Sequence, residues 1–357
     1  MSAHSRAKRG AAACTRKCAA RAQRPSRASG RSRSATRRCA RRSRNMCGGR
    51  AALPRCRSTS RITGGSMQAL ALLAQLLVGP GDTAVAETPA FRGIRQALAA
   101  CGARWIDAEV DAHGIVPQDW AARAMFVTPA RQFPTGAVLS LERRQTLLRW
   151  AQEREAVIIE DDYDSEFRHG GKSLEPLKVL DSSERVVYVG SFSKSLLPGT
   201  RIGYAVLPPP LAGPFARALQ LTAGAFPVNL LEQKALAAFM ACGEYERHLR
   251  RMKRSYSRKF QLLLQLARAE LSEAFDWMES DAGLHIFGWW KGAERDYLRF
   301  RATCAERGVR FAEAQAPAAA GTKYGIYLNF PHLSEDELRE GCRRLRLAWE
   351  QQSRDRL

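Results

Sequence analysis

Acidic residues are missing from the beginning of this chain. Residues 1–61 hold 19 of the 57 Lys and Arg and none of the 35 Asp and Glu. The remaining residues carry 38 basic and 35 acidic groups, so the net charge of +22 belongs to a basic arm and not to the body. That body needs no polyanionic partner to explain its charge. Long apolar runs are also lacking. The longest, about Ala69 to Val78, is too short to span a bilayer, and the basic N-terminus has no apolar core segment of a secretory signal. Paired cysteine spacing is absent as well. Five of the nine cysteines lie in the arm (Cys14, Cys18, Cys39, Cys47, Cys56) and four are scattered through the body (Cys101, Cys242, Cys304, Cys342). None has zinc-site spacing, and an odd number does not close a disulfide framework, which points to a reducing cytoplasm.

The arm also has almost no Leu, Ile, Val or aromatic residues. It cannot bury enough apolar surface to offset chain entropy, so residues 1–61 are expected to be disordered. Three readings of it compete. It could contact nucleic acid non-specifically by counterion release. It could be a targeting leader, since its Arg, Ser and Ala content is that of an organelle transit peptide. It could be sequence never selected to fold, from a frame or start artefact, and the abrupt change at Arg61-Ile62-Thr63 favours this last reading.

From Ile62 onward, strands and helices alternate. Ser66 to Leu77 reads as a helix, ended by Gly79-Pro80-Gly81-Asp82. Ser140 reads as the N-cap of a helix to about Arg154. Ala156–Glu160, Val186–Gly190 and Ile202–Leu207 are short, continuously apolar strands, as in a parallel sheet covered on both faces. After Pro227, long helical stretches run to Leu271 with a break near Cys242-Gly243. Strands near Leu284–Trp290 and Gly325–Phe330 follow, and a capping box at Ser334 and Glu337 opens the last helix. The expected architecture is α/β: a large domain over 62–242 with a mostly parallel sheet between helices, and a smaller α+β domain over 243–357.

One segment carries most of the chemistry. Lys194 stands in Gly190-Ser191-Phe192-Ser193-Lys194-Ser195, at the end of the buried strand Val186-Val187-Tyr188-Val189, with Arg201 seven residues on. About 30 residues upstream lies Asp161-Asp162-Tyr163-Asp164. Pyridoxal 5′-phosphate needs a lysine amine for its aldehyde, an anion at its pyridine nitrogen, a hydrogen bond to its ring oxygen and a phosphate cradle. Lys194 supplies the amine and can then shuttle a proton. Asp161 follows an apolar strand and can reach the ring from beneath. Tyr163, two residues on and on the same side of an extended chain, can reach the ring oxygen. Ser191, Ser193 and Arg201 can hold phosphate, with the amides of Gly65, Ser66 and Met67 at a helix start. Bland alternatives stand beside these: a metal cluster or solvated turn for the aspartates, core packing for Phe91, an ordinary helix cap for Gly65-Ser66. His169 reads as a surface-loop histidine without a role.

The chain resembles the fold-type I aminotransferase domain of MocR/GabR-type transcriptional regulators of the GntR family. Thr63-Gly64-Gly65-Ser66-Met67-Gln68-Ala69-Leu70, Glu87-Thr88-Pro89-Ala90-Phe91-Arg92-Gly93, Thr128-Pro129-Ala130-Arg131-Gln132-Phe133-Pro134-Thr135-Gly136, Ile158-Ile159-Glu160-Asp161-Asp162-Tyr163-Asp164-Ser165-Glu166-Phe167 and the Lys194 segment occur in that family's order. The resemblance covers about residues 62–350. It implies that Lys194 forms the Schiff base, Asp161 meets the pyridine nitrogen, Tyr163 the ring oxygen, that Phe91 stacks on the ring, and that Ser66, Ser191 and Arg201 bind phosphate. It also implies amino transfer between an amino acid and a 2-oxo acid, in a homodimer.

Three departures qualify that expectation. No winged helix is recognisable ahead of residue 62, so DNA binding through one is not expected. The segment that usually opens the catalytic domain is not recognisable either. Where many relatives place an arginine for the substrate carboxylate, this chain reads Tyr327-Leu328-Asn329-Phe330, and a tyrosine cannot form the bidentate ionic pair. The cofactor apparatus therefore reads as intact and the substrate apparatus does not, which suits either an enzyme or an amine-sensing effector domain with little turnover.

Overall fold

A computed structural model describes residues 59–171, 175–223, 227–318 and 321–354. Most of the expected disordered arm lies outside them. Its last residues do not: Ser60 and Arg61 are part of strand β1 (Ser60–Thr63), which forms one edge of the main sheet. An edge strand draws its hydrogen bonds from the neighbouring backbone, so a Ser-Arg beginning gives no apolar signal.

The main sheet has eight strands: β1, β2 (Thr83–Thr88), β3 (Arg104–Asp111), β4 (Gly114–Ile115), β5 (Ala124–Val127), β6 (Val157–Asp162), β7 (Val186–Ser191) and β8 (Gly203–Val206). Their spatial order is β1-β8-β7-β6-β5-β2-β3-β4. The central pairs β7–β6, β6–β5, β5–β2 and β2–β3 are parallel, and the pairs at the margins are antiparallel. Parallel neighbours need crossovers, and the helices between them cover both faces.

The period-two alternation of each strand builds two separate cores. Ala84, Ala86, Ile159, Val187, Val189 and Ala205 face the apolar stripe of helix α1 (Ser66–Leu77) and helix α2 (Arg92–Ala100). Val85, Met125, Val127, Ile158 and Val186 face helix α3 (Leu141–Glu153) through Leu147, Trp150 and Ala151. Ser140 caps α3 by accepting from the Arg143 amide at 3.3 Å, as its sequence position predicted. Buried Arg144 on α3 donates to the carbonyls of Leu139, Pro129 and Glu175 at 2.7–2.8 Å, which pins the loop after β5.

The remaining helices are α4 (Leu177–Leu180), α5 (Pro209–Ala223), α6 (Leu230–Ala241), α7 (Glu244–Leu271), α8 (Glu294–Glu306) and α9 (Glu335–Arg354). The break between α6 and α7 falls at Cys242-Gly243 as expected, with Gly243 at φ 75°. Helix α5 was not foreseen. Its opening Pro209-Pro210 hides it, yet proline suits a first turn, where no amide proton is needed.

A second sheet, fully antiparallel, has the order β11-β12-β10-β9, from β9 (Phe275–Trp277), β10 (His285–Trp290), β11 (Ala312–Ala318) and β12 (Gly321–Asn329). It packs Ile286, Trp290 and Ile326 against Phe260 and Leu263 of α7, Phe300 of α8 and Leu338 and Leu345 of α9. The Ser334 and Glu337 capping box is present: each side chain accepts from the other's amide, at 2.6 and 3.2 Å.

Candidate active site

Strands β6 and β7 run parallel and end together, which puts their C-terminal residues at a crevice edge, the usual ligand position in such sheets. Asp161 lies on β6 opposite Val189 of β7. The strand continues to Asp162, one turn of the pleat further than its apolar run suggested. The three aspartates then diverge. Asp162 accepts from Tyr188 and from the Ser165 amide and hydroxyl. Asp164 accepts from Arg131 at 3.3 Å. Asp161 is 7% exposed, and its Oδ1 is buried with no hydrogen-bond partner. Among the described residues, no three His, Cys, Asp or Glu converge in a way that could hold a metal ion.

An unpartnered buried carboxylate oxygen is costly unless something supplies a donor. Burial, together with the charges of Asp162, Glu87 and Asp164, pushes the Asp161 carboxyl up to about 7. Glu87, held by Thr128 and Gln132, is likewise pushed by burial to about 7. The floor of this crevice therefore favours a cationic or proton-donating group. The protonated pyridine nitrogen of pyridoxal phosphate fits that demand, and the residues around it fit the rest of the cofactor.

A second corner forms where α1 begins. Gly65 is the N-cap at φ 95°, with no side-chain cap to the helix. Gly203 at the start of β8 pairs with Ser191 at the end of β7. A methyl group at Gly203 would meet the Gly65 carbonyl carbon at 2.5 Å and the Ser66 amide nitrogen at 2.7 Å. The Arg201 guanidinium lies against Gly65, about 3.0 Å from where a side chain there would begin. Thus Gly65, Ser66, Ser191 and Arg201 share one corner, with free helix amides and a cation aimed into it, a cradle suited to phosphate. The Ser191 hydroxyl also accepts from the Ser193 amide at 3.1 Å, fixing the turn that leads to Lys194.

Lys194 is exposed on that turn. Its charge is felt by Asp164, whose carboxylate it stabilises, and by His285, whose protonation it opposes, so it lies near both. Phe91 is 37% exposed at the N-cap of α2 and meets Phe133 edge-on, with ring centroids 6.1 Å apart. Met67 and Phe91 crowd Gly93: a methyl group there would come within 2.5 Å of both side chains. Phe133 also touches Tyr163, His285 and Tyr327 at 5.6, 5.7 and 5.3 Å. The wall of the crevice away from the sheet is therefore aromatic.

Three participants were not singled out from the sequence. Arg131, in the quoted Thr128–Gly136 segment, is buried and donates to the Tyr163 hydroxyl at 2.8 Å. His285 on β10 is buried and donates to the Pro134 carbonyl at 2.9 Å, with burial and Arg131 holding it well below its ordinary range. Asn229, before α6, donates to the Arg201 carbonyl at 2.7 Å. His169, expected at the surface, is half-buried: it stacks on Phe260 at 4.4 Å and bonds the Gly283 carbonyl and the Ser257 hydroxyl. Its Gly-Gly neighbours suggested a free loop, but Arg168 pairs with Asp281 and draws the segment onto the second sheet's approach.

Comparison with known proteins shows the family. The family described as aminotransferase class I and II matches residues 48–345. The chain is 35% identical to the "Probable rhizopine catabolism regulatory protein MocR" of Rhizobium meliloti over 81% of its own length and 59% of that protein's. It is 30% identical to 2-aminoadipate transaminase of Thermus thermophilus over 80% of its length and 73% of the transaminase. The kynurenine aminotransferase of Pyrococcus horikoshii, solved in complex with PMP and KYN as substrates and KYA as products, superposes with a TM-score of 0.79 at 26% identity, covering 88% of this chain and 80% of that one. The chain thus spans little more than half the length of the regulator it matches. On the family match and these relatives, the chain belongs to the class I and II aminotransferase family.

Proposed function

We propose that the chain binds pyridoxal 5′-phosphate in this crevice and transfers an amino group between an amino acid and a 2-oxo acid. The observation that carries this reading is the buried, unpartnered Asp161 Oδ1 beneath the crevice. When bound, the cofactor supplies an aldehyde for an amine and a pyridinium ring that draws electrons from the substrate α-carbon. Asp161 holds the proton on the pyridine nitrogen. Tyr163 donates to the ring oxygen. The amides of Gly65, Ser66 and Met67, with Ser191, Ser193 and Arg201, would hold the phosphate, and the partly exposed Phe91 would pack on the ring. Lys194 would be the covalent attachment point, and its Nζ would be the group that removes and returns the substrate α-proton. The aromatic wall of Phe133, His285 and Tyr327 receives the substrate side. We place the protein in the cytoplasm as a homodimer.

A second reading is favoured by Tyr327, which stands 5.4 Å from His285 where a carboxylate-binding cation is expected, and by the match to a regulatory protein. On it, the chain is an effector domain that binds cofactor and amine with little turnover.

One experiment separates the outcomes. Purified protein given pyridoxal phosphate should gain the visible absorption of lysine-bound cofactor, and Lys194→Ala should abolish it. An unchanged spectrum in that variant sinks the central claim. Adding amino acids should convert the colour to that of the amine form of the cofactor, and 2-oxo acids should restore it. Binding without conversion supports the effector reading.

A further inference from the structure

Arg131 occupies a place built for its guanidinium. Gly283, at φ 91°, leaves the space: a methyl group there would sit 2.3 Å from Arg131 Cζ. Gly136, at φ 84°, leaves room beside Nη2 in the same way. The guanidinium is spent on four partners. Nη1 donates to the Tyr163 hydroxyl at 2.8 Å and pairs with Asp164 Oδ2 at 3.3 Å; both ion-pair side chains are 2% exposed. Nη2 donates to the His285 carbonyl at 2.9 Å, and Nε lies 3.5 Å from the Ser280 hydroxyl. Burial and Arg131 hold His285 well below its ordinary range; its Nε2 donates to the Pro134 carbonyl, and Arg131 Nη1 lies 3.2 and 3.4 Å from its Nε2 and Nδ1. With four of its five N–H donors paired inside the protein and the side chain buried, Arg131 is already engaged away from a substrate carboxylate.

Its effect falls on Tyr163. A phenol oxygen that accepts from a guanidinium keeps its own proton for another acceptor. Among the described residues no acceptor is paired with that proton, and burial holds the Tyr163 hydroxyl well above its ordinary range, so it stays a donor. The charged groups around it are Arg131, Asp164 and Asp161, with Lys194 beyond Asp164. The same guanidinium bonds strand β10 through the His285 carbonyl, so the hydroxyl is tied to the second sheet as well as to the turn that follows β6.

We propose that Arg131 is a positioning residue that fixes the Tyr163 hydroxyl so that its proton points at the cofactor's ring oxygen, and that it does so from a seat shared by both sheets. The inference rests on the pyridoxal phosphate reading above. A fixed donor stabilises the ring oxygen as an anion, and a loosened one stabilises it less.

The test reads the pH at which the visible absorption of bound cofactor titrates. Wild-type protein must first take up colour through Lys194; failure there removes the cofactor reading itself and the inference with it. In Arg131→Met the transition should move upward by roughly one pH unit, the size expected for weakening one hydrogen bond to a charged oxygen. Tyr163→Phe should move it the same way, and Arg131→Met in the Tyr163→Phe background should add nothing further. Because Arg131→Met leaves Asp164 buried and unpaired, Arg131→Met with Asp164→Asn is measured alongside, and it decides the matter if the single variant does not fold. An unmoved transition in a folded variant, or shifts that add in the double variant with Tyr163→Phe, would overturn the proposal.

Discussion

Asn229 Nδ2 donates to the backbone carbonyls of Thr200 and Arg201 at 3.1 and 2.7 Å, and Asn229 and Arg201 both hold left-handed backbones, at φ 51° and 46°. Neither conformation is cheap for a residue with a side chain. The amide braces the turn that aims the Arg201 guanidinium at Gly65. Asn229→Ala removes both bonds and puts a less tolerant residue at a positive φ. It should destabilise the protein by about 1–3 kcal/mol. It should also weaken binding of pyridoxal phosphate more than binding of pyridoxal, which lacks the phosphate. Thermal melts and equilibrium titrations with the two ligands check this; equal losses for both ligands would show that the brace does not serve the phosphate corner.

The raised carboxyl of Asp161 makes stability depend on pH in a definite direction. Burial lifts it to about 7 in the folded protein, against about 4 in an unfolded chain. The folded state therefore holds the proton more tightly. The contribution is complete below the unfolded value and is lost as pH climbs through the folded one. Cofactor-free protein should melt at progressively lower temperature from pH 5 to 8. Asp161→Asn should flatten part of that slope, so the variant gains on wild type as pH rises. Saturating cofactor should counter the wild-type loss, since ligand that binds only the folded state stabilises it. Parallel melting curves for wild type and Asp161→Asn would remove Asp161 from this account.

Gly203→Ala tests the corner by crowding it. The added methyl group would lie 2.5 Å from Gly65 and 2.7 Å from the Ser66 amide, both backbone atoms. Either α1 or β8 must shift. The expected cost is about 1–3 kcal/mol, typical of overpacking, with loss of phosphate affinity well beyond that of an alanine at the open Gly199. Denaturant melts and inorganic phosphate competition measure the two effects. A variant as stable and as phosphate-sensitive as wild type would mean the corner is looser than described.

What the sequence revealed follows from how local each signal is. Helix α1 begins and ends where its glycines and leucines place it, Ser66–Leu77, because caps and periodicity are read within one segment. Asp161 and Ser191 were singled out because each follows an apolar run that reads as a strand, and both lie on the strands β6 and β7. Arg131 was not, although it sits inside a quoted segment. Between Ala130 and Gln132 it looks like a loop cation, and its seat is made by Gly283, some 150 residues away in sequence. Asn229 was hidden for the same reason, since its partner is the backbone of another turn. Strand β1 was missed because edge pairing is written in backbone geometry and not in side-chain pattern. His169 misled because adjacent glycines resemble a free loop until Asp281 closes on Arg168.

Strand β1 gives the phosphate corner a handle. Its four residues pair in step with β8, Ser60 with Val206 through Thr63 with Gly203, and the Thr63 hydroxyl then donates to the Gly65 carbonyl at 2.9 Å. The polypeptide thus passes from the outermost rail of the sheet to the helix amides in about two residues. Tension applied at Ser60 would reach those amides as a short rigid lever, and filling the corner would stiffen that lever in return.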